Sequence, residues 1–273
     1  AGTHTPSATV TCDVAGVTML GVGHRFDGVT QLHRPQTIIR GATGTNTGLA
    51  DDLINITAAG VEIGYVELRP TQGFDTVCFE TDTALTGIYL HHLKIDLETP
   101  TATILTRGIN FSHRAARTGS GYGLFSQTAS TIYATIEDVL AVSDGAMGPA
   151  LELATCYAVI RRMQFDHSAQ GTTWAIPVRV ASNVANTLMD ECVWLSVGTM
   201  GQCIDGTDST SNPTAQGRFH IQNCSFTGNL TAVNKPLDGF TLAGTSSLFG
   251  GAVMGRGCQV MTATAGSTVA LIT

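Results

Sequence analysis

Glu152, Arg179 and Asp205 occupy matching places in three short apolar runs, Leu151-Glu152-Leu153, Val178-Arg179-Val180 and Cys203-Ile204-Asp205. If Leu153, Val180 and Ile204 face a core, strand alternation turns the three ionisable side chains outward, as it does Glu80 beside Phe79. Two carboxyl groups on one face are the acid and base of glycoside hydrolysis. With strands about 4.8 Å apart, Glu152 and Asp205 stand about 10 Å apart across Arg179, slightly long for either glycosidase geometry. The competing reading is a ladder of alternating charge that ties strand to strand. It is preferred, because no aromatic platform for a sugar accompanies the column. Trp174 and Trp194 are the only tryptophans, and Trp194 is expected to face inward.

A second set is a series of polar dipeptides: Gly64-Tyr65, His91-His92, Glu137-Asp138, Arg161-Arg162, Asp190-Glu191 and Gln222-Asn223, with Ser112-His113 as a degenerate member. Acidic, basic and acidic pairs follow one another. A polar ligand groove would use them for binding. The preferred reading is a structural charge ladder of Glu137, Asp138, Arg161, Arg162, Asp190 and Glu191 that pins register against slippage. Exposed pairs contribute about 0–1 kcal/mol each, and networks do better. Asn223 suits a left-handed bend, and His92 near His113 or Asp138 is placed to titrate.

The elements that position both sets are legible as a repeat. Each dipeptide sits inside the pattern apolar-any-apolar, two bend residues, apolar-any-apolar. The third position falls at Ile63, Leu90, Ile136, Ile160, Met189 and Ile221, at intervals of 27, 46, 24, 29 and 32 residues. One coil of a parallel β-solenoid needs roughly 20–30 residues. The interval of 46 therefore suggests two coils, with a degenerate corner at Ile109, Phe111 and Arg114. Further apolar runs precede the corners, at Leu53 to Ile56, Val77 to Phe79, Leu124-Phe125, Leu151 to Leu153, Val178 to Val180 and Cys203-Ile204. No amphipathic helix is legible among the Gly, Thr and β-branched residues. The expectation is an all-β solenoid over 16–230, an N-terminal arm or cap over 1–15, and a non-repeating C-terminal β segment over 231–273.

The corner Ile221-Gln222-Asn223-Cys224-Ser225-Phe226 resembles those of the right-handed parallel β-helix superfamily of pectate lyases and phage tailspikes, and Gly16 to Gly23 resembles the opening coil of many such proteins. The resemblance covers roughly residues 14–230. It implies a single-stranded right-handed helix, a scaffold that carries lyases, hydrolases and inert virion parts alike. In a lyase of this kind an Arg takes the proton alpha to a carboxylate, often beside calcium held by Asp and Glu. Arg179 between Glu152 and Asp205 would fill that role, but the denser Asp clusters of the family are missing from this face.

Charged residues make up 13% of the chain, about half the usual quarter, and there are 40 Thr and 31 Gly but only two lysines, Lys94 and Lys235. So weakly charged a surface suits burial in an assembly. The net charge of −7 argues against a nucleic-acid partner. No apolar run is long enough for a membrane-spanning helix. No signal peptide is legible at Ala1, which fits removal of an initiator Met or of a longer leader.

Seven cysteines without a CxxC pair read as free apolar fillers, although Cys192 and Cys224 share one position on successive coils and a disulfide between them is sterically thinkable. No His joins them at zinc spacing. Gly41 to Gly48 lacks the ending of a phosphate loop, and Asp205 to Ser211 lacks the full spacing of a calcium loop. No cofactor or metal is called for. The sequons at Asn55, Asn110, Asn223 and Asn229 are what chance places in a Thr-rich chain.

The tail after Asp238 carries one charge, Arg256, and an apolar set including Met254, Val260 and Leu271, which suits pairing with other subunits. Together with the resemblance, these features lead to a non-enzymatic virion protein, a capsid-decoration or fibre-type subunit of a bacteriophage. It is expected to be a homotrimer on the extracellular particle, in contact with itself and with the major capsid or another virion protein. The alternatives are a polysaccharide-cleaving enzyme using Glu152, Arg179 and Asp205, and a bacterial surface or adhesin module.

Overall fold

The structure is a computed structural model and describes residues 2–27, 32–41, 52–70, 75–79, 83–97, 107–111, 132–144, 148–153, 156–167, 172–174, 177–180, 187–200, 203–205, 219–230, 237–238, 254–256 and 259–262. Among them every regular element is a strand. Three long sheets account for all but one hairpin, and every pairing within them is parallel. The chain visits them in fixed order, one strand to each per circuit, with Thr173–Trp174 as one additional short strand on the trailing sheet. For example, Leu151–Leu153 lies in the lead sheet, Cys156–Arg161 in the corner sheet and Gln164–His167 in the trailing sheet. This is the order of a parallel β-solenoid. Parallel neighbours cannot be joined by a hairpin, so the chain must travel round the other two sheets before it pairs again.

The corner positions stack as the repeat requires. Met19, Ile63, Leu90, Ile136, Ile160, Met189, Ile221 and Gly255 follow one another in register down the corner sheet. The pairing of Leu90 directly with Ile136 corrects one expectation. The 46-residue interval is a single coil, and Arg107–Asn110 is its lead strand, between Asp75–Cys78 and Leu151–Leu153. The bend expected at Ser112-His113 and the run at Leu124-Phe125 lie outside the described residues. The apolar residues Ile109 and Phe111 match a corner by composition, since lead and corner strands bury the same kinds of side chain.

Described strands near each end of the chain pair with the stack. Gly2–His4 and Val10–Cys12, within the expected arm, pair with Thr37–Arg40 and Ile54–Ile56. Within 231–273, the strands Leu237–Asp238, Met254–Arg256 and Gln259–Thr262 add one strand to each sheet.

One continuous apolar core fills the coils from Cys12 to Phe226. On the trailing sheet Phe165, Trp194 and Phe226 occupy one register row, their rings stacked 4.8 and 4.4 Å apart. Trp194 faces inward, as expected. The six described cysteines are buried, and Cys192 and Cys224 stand as thiols rather than as a disulfide. The sheets differ in how they meet solvent. The corner sheet alternates buried and accessible residues, as in Ile132–Glu137 and Cys156–Arg161, whereas Ile54–Ile56 and Leu151–Leu153 of the lead sheet are buried at every residue. The lead sheet is covered on its outer face as well as its inner one. An antiparallel hairpin, His24–Asp27 with Leu32–Pro35, stands outside the three sheets.

Candidate functional site

At each bend the second residue of the dipeptide takes the left-handed conformation. Tyr65, His92, Asp138, Arg162, Glu191 and Asn223 all have φ between 50° and 58°. Such backbone costs a non-glycine residue about 1–2 kcal/mol, so something must hold it. The bends hydrogen-bond to one another. The amides of His92, Asp138, Arg162 and Glu191 donate to the carbonyls of Glu137, Arg161, Asp190 and Gln222 on the next coil, at 3.0–3.2 Å. Coil stacking therefore satisfies the polar groups that each bend exposes and fixes where the dipeptide side chains stand.

Those side chains form a connected network over four coils. Arg162 grips the coil before it, with Nε 2.7 Å from Asp138 Oδ1, Nη2 2.9 Å from Asp138 Oδ2, and a further bond from Nη2 to Glu137 Oε1. Tyr89 donates its hydroxyl to Glu137 at 3.1 Å. His92 Nε2 stands 3.8 Å from Asp138. His91 bridges backward, with Nε2 3.0 Å from Glu62 and Nδ1 2.9 Å from His92 Nδ1. Its ring lies where a side chain at position 64 would be, since a Cβ on Gly64 would come within 2.5 Å of it. The hydrogen bond from Arg162 holds the Glu137 carboxyl below its ordinary value, with smaller help from Tyr89. The two carboxylates hold the Arg162 guanidinium more firmly protonated still.

The expected charge ladder is thus assembled in part. Glu137, Asp138 and Arg162 are brought together. Asp190 accepts from Asn223 Nδ2 at 3.0 Å. Arg161 stands in register between Glu137 and Asp190, but it and Glu191 are exposed and reach no ionic partner among the described residues. The parts of the network that the repeat did not announce are Glu62 and Tyr89, on the strand rather than on the bend. A second ionic cluster lies on the trailing sheet. Lys94 lies 3.1 Å from Glu67 and 3.3 Å from Asp96, and Arg69 lies 2.6 Å from Glu67 and 3.2 Å from Asp96. Its signal was present, because Glu67 and Lys94 fill the same place after successive corners and are in register.

The other candidate column is aligned as expected but differently placed with respect to solvent. Glu152, Arg179 and Asp205 are consecutive partners in the lead sheet. They continue a polar row through Asn55, Cys78 and Asn110. Leu151, Leu153, Val178 and Ile204 belong to the core, so alternation does aim Glu152 and Arg179 away from it. Nevertheless Glu152 is 0% and Arg179 5% exposed. The expectation of a solvent-facing column is corrected to this extent: the outer face of the lead sheet is covered. Position 205 is described by its backbone only.

Among the described residues no group of three or more His, Cys, Asp or Glu is placed to hold a metal ion, and no helix is long and apolar enough to cross a membrane. Comparison with family models, with curated proteins and with solved structures gave no match. The chain is an all-β protein whose strands stack in three long parallel sheets.

Proposed function

We propose that the chain is a single-stranded, right-handed parallel β-helix and serves as a non-enzymatic structural subunit of a bacteriophage virion, of the capsid-decoration or fibre type. On this reading three copies assemble on the extracellular particle and seat against the major capsid protein or another virion protein. The observation that carries the reading is how the charges are used. Arg162, Glu137 and Asp138 are bound to one another across coils, and Glu152 and Arg179 are buried. A charge engaged in register holds the scaffold, and a covered one meets no polymer. The low charged fraction of 13% and the two lysines give further support, since such a surface is suited to be covered by neighbours. The bacteriophage setting rests on the resemblance of the corner motif to tailspike coils.

A second reading has one observation in its favour, the unbroken succession of Glu152, Arg179 and Asp205 in register. It makes the chain a polysaccharide-cleaving lyase or hydrolase working through those residues once the covering face opens. The deciding experiment is the mass of the native protein by light scattering, with imaging of the particle and an assay on acidic polysaccharides. About three times the 28.5 kDa of one chain, with no cleavage, is the expected result. A monomer that shortens the polymer, and stops doing so in folded Glu152→Gln and Arg179→Gln variants, would overturn the structural reading in favour of the enzyme.

A further inference from the structure

Cys192 and Cys224 each follow a bend directly, in the place that Val66, Leu93, Val139 and Met163 fill on earlier coils. Asp190 faces Gln222 and Val193 faces Ser225, three residues on in each chain segment, so Cys192 lies opposite Cys224 with no bulge between. The backbone ties the two coils on either side of the pair. The Glu191 amide donates to the Gln222 carbonyl at 3.2 Å, and the Ser225 amide to the Cys192 carbonyl at 2.9 Å. Facing residues of neighbouring strands stand about 4.8 Å apart, inside the roughly 4.4–6.8 Å between Cα atoms that a disulfide spans. Both side chains enter the core, at 0% and 1% exposure. They also lean the same way: Cys192 Sγ lies 3.5 Å from the Asp190 carbonyl oxygen and Cys224 Sγ 3.2 Å from the equivalent Gln222 oxygen. No other described cysteines face one another. Cys12, Cys78 and Cys156 face Ile56, Asn55 and Ile132.

We propose that Cys192 and Cys224 form a redox-closed staple, joined by two-electron oxidation into one disulfide that bolts the coil of Met189 to the coil of Ile221 while the other described cysteines stay thiols. The oxidant is a small disulfide such as oxidised glutathione. The Cys224 thiolate attacks one of its sulfurs. A Cys224–glutathione bond forms, the glutathione S–S bond breaks, and the departing thiolate takes up the proton that Cys224 lost. The Cys192 thiolate then attacks the Cys224 sulfur, forming the Cys192–Cys224 bond and expelling the second glutathione thiolate, which takes the Cys192 proton. Two protein thiols lose two electrons and two protons, and one glutathione disulfide gains them. The order suits the pair. The hydrogen bond from the Cys192 thiol lowers the Cys224 thiol below its ordinary value, whereas burial raises Cys192. Because both sulfurs are enclosed by the core, the staple closes as the coils come together, and the folded chain then protects whichever state it holds. Chains folded in reducing surroundings carry thiols there, and chains folded in oxidising surroundings carry the bond. The inference holds for a structural subunit and for an enzyme alike.

The test refolds the full chain from urea in glutathione buffers graded from reducing to oxidising, so that burial does not bar the reagent. Free thiols are then alkylated in denaturant and the linkage is read by peptide mass mapping. The expected result at the oxidising end is a single Cys192–Cys224 disulfide in a chain with the circular dichroism of the reduced native protein. Its urea midpoint should lie higher by about 1 M, since the bond restricts the unfolded chain. In Cys192→Ala and in Cys224→Ala the midpoint should no longer depend on the redox buffer. The measurement on the native chain stands by itself if either variant fails to fold. Natively folded chain from the oxidising end with Cys192 and Cys224 alkylated, glutathionylated or linked to other cysteines overturns the staple. So does a Cys192–Cys224 disulfide confined to chain that has lost the native dichroism, or one that lowers the midpoint.

Discussion

Six side-chain-bearing residues in the left-handed region mark a backbone held by its neighbours against its own preference. Glu191 offers the cleanest measure of that cost. It is exposed, its side chain reaches no ionic partner among the described residues, and only its amide is engaged, at 3.2 Å from the Gln222 carbonyl. Glycine adopts this conformation freely but loses more freedom on folding. Setting the left-handed penalty against that loss, Glu191→Gly should stabilise the chain by about 0.5–1 kcal/mol. An increase in urea midpoint at unchanged slope is the expected readout. A decrease would mean that the Glu191 side chain holds the bend. Asn223 is the bend residue whose left-handed conformation is legible from its type, because Asn tolerates the region. Tyr65, His92, Asp138, Arg162 and Glu191 share its place but not its chemistry, so their conformation had to come from stacking.

Between coils, the unit of cohesion is the clamp of Arg162 on Glu137 and Asp138. Because the Glu137 carboxyl is held below its ordinary value, its contribution is present above the usual carboxylate range, near pH 4.3, and is lost as pH falls through the folded value. The effect is modest, since the Arg162 side chain is 43% exposed and water screens the pair. In Arg162→Met the fall in stability between about pH 6 and pH 3 should be shallower than in the native chain, as followed by denaturant titration at each pH. Parallel curves would show that the clamp is too well solvated to matter. The alternation of acidic and basic dipeptides made this clamp foreseeable. The dipeptides did not show which Arg would close it: Arg162 does, at the bend, while Arg161 on the strand is left to solvent. Backbone direction at a left-handed residue decides that choice.

For the whole molecule, the covered face of the lead sheet has the largest consequence. A buried guanidinium such as Arg179 must be compensated by its surroundings, and removing one member of a buried charged set costs about 3–5 kcal/mol. Arg179→Ala should therefore destabilise the isolated chain by about 3 kcal/mol or more, read from the denaturant midpoint. A change below about 0.5 kcal/mol, the level of ordinary surface substitutions, would place Arg179 in water and reopen this face to a polymer substrate. The same burial makes stability a necessary control for any loss of activity at Glu152 or Arg179.

Period and polarity along the chain were enough to set the architecture. Apolar residues on either side of a two-residue bend, returning once per circuit, leave a parallel stack as the arrangement that buries them all, and Ile63, Leu90, Ile136, Ile160, Met189 and Ile221 stand in one row as that logic requires. The number of coils in the 46-residue interval was beyond the pattern, because a strand's place in the circuit is set by its partner and not by its own composition. Solvent access at Glu152 and Arg179 was also beyond it. Alternation tells which way a side chain leaves the strand, whereas burial depends on what the rest of the chain lays over that face, and only the tertiary structure decides that.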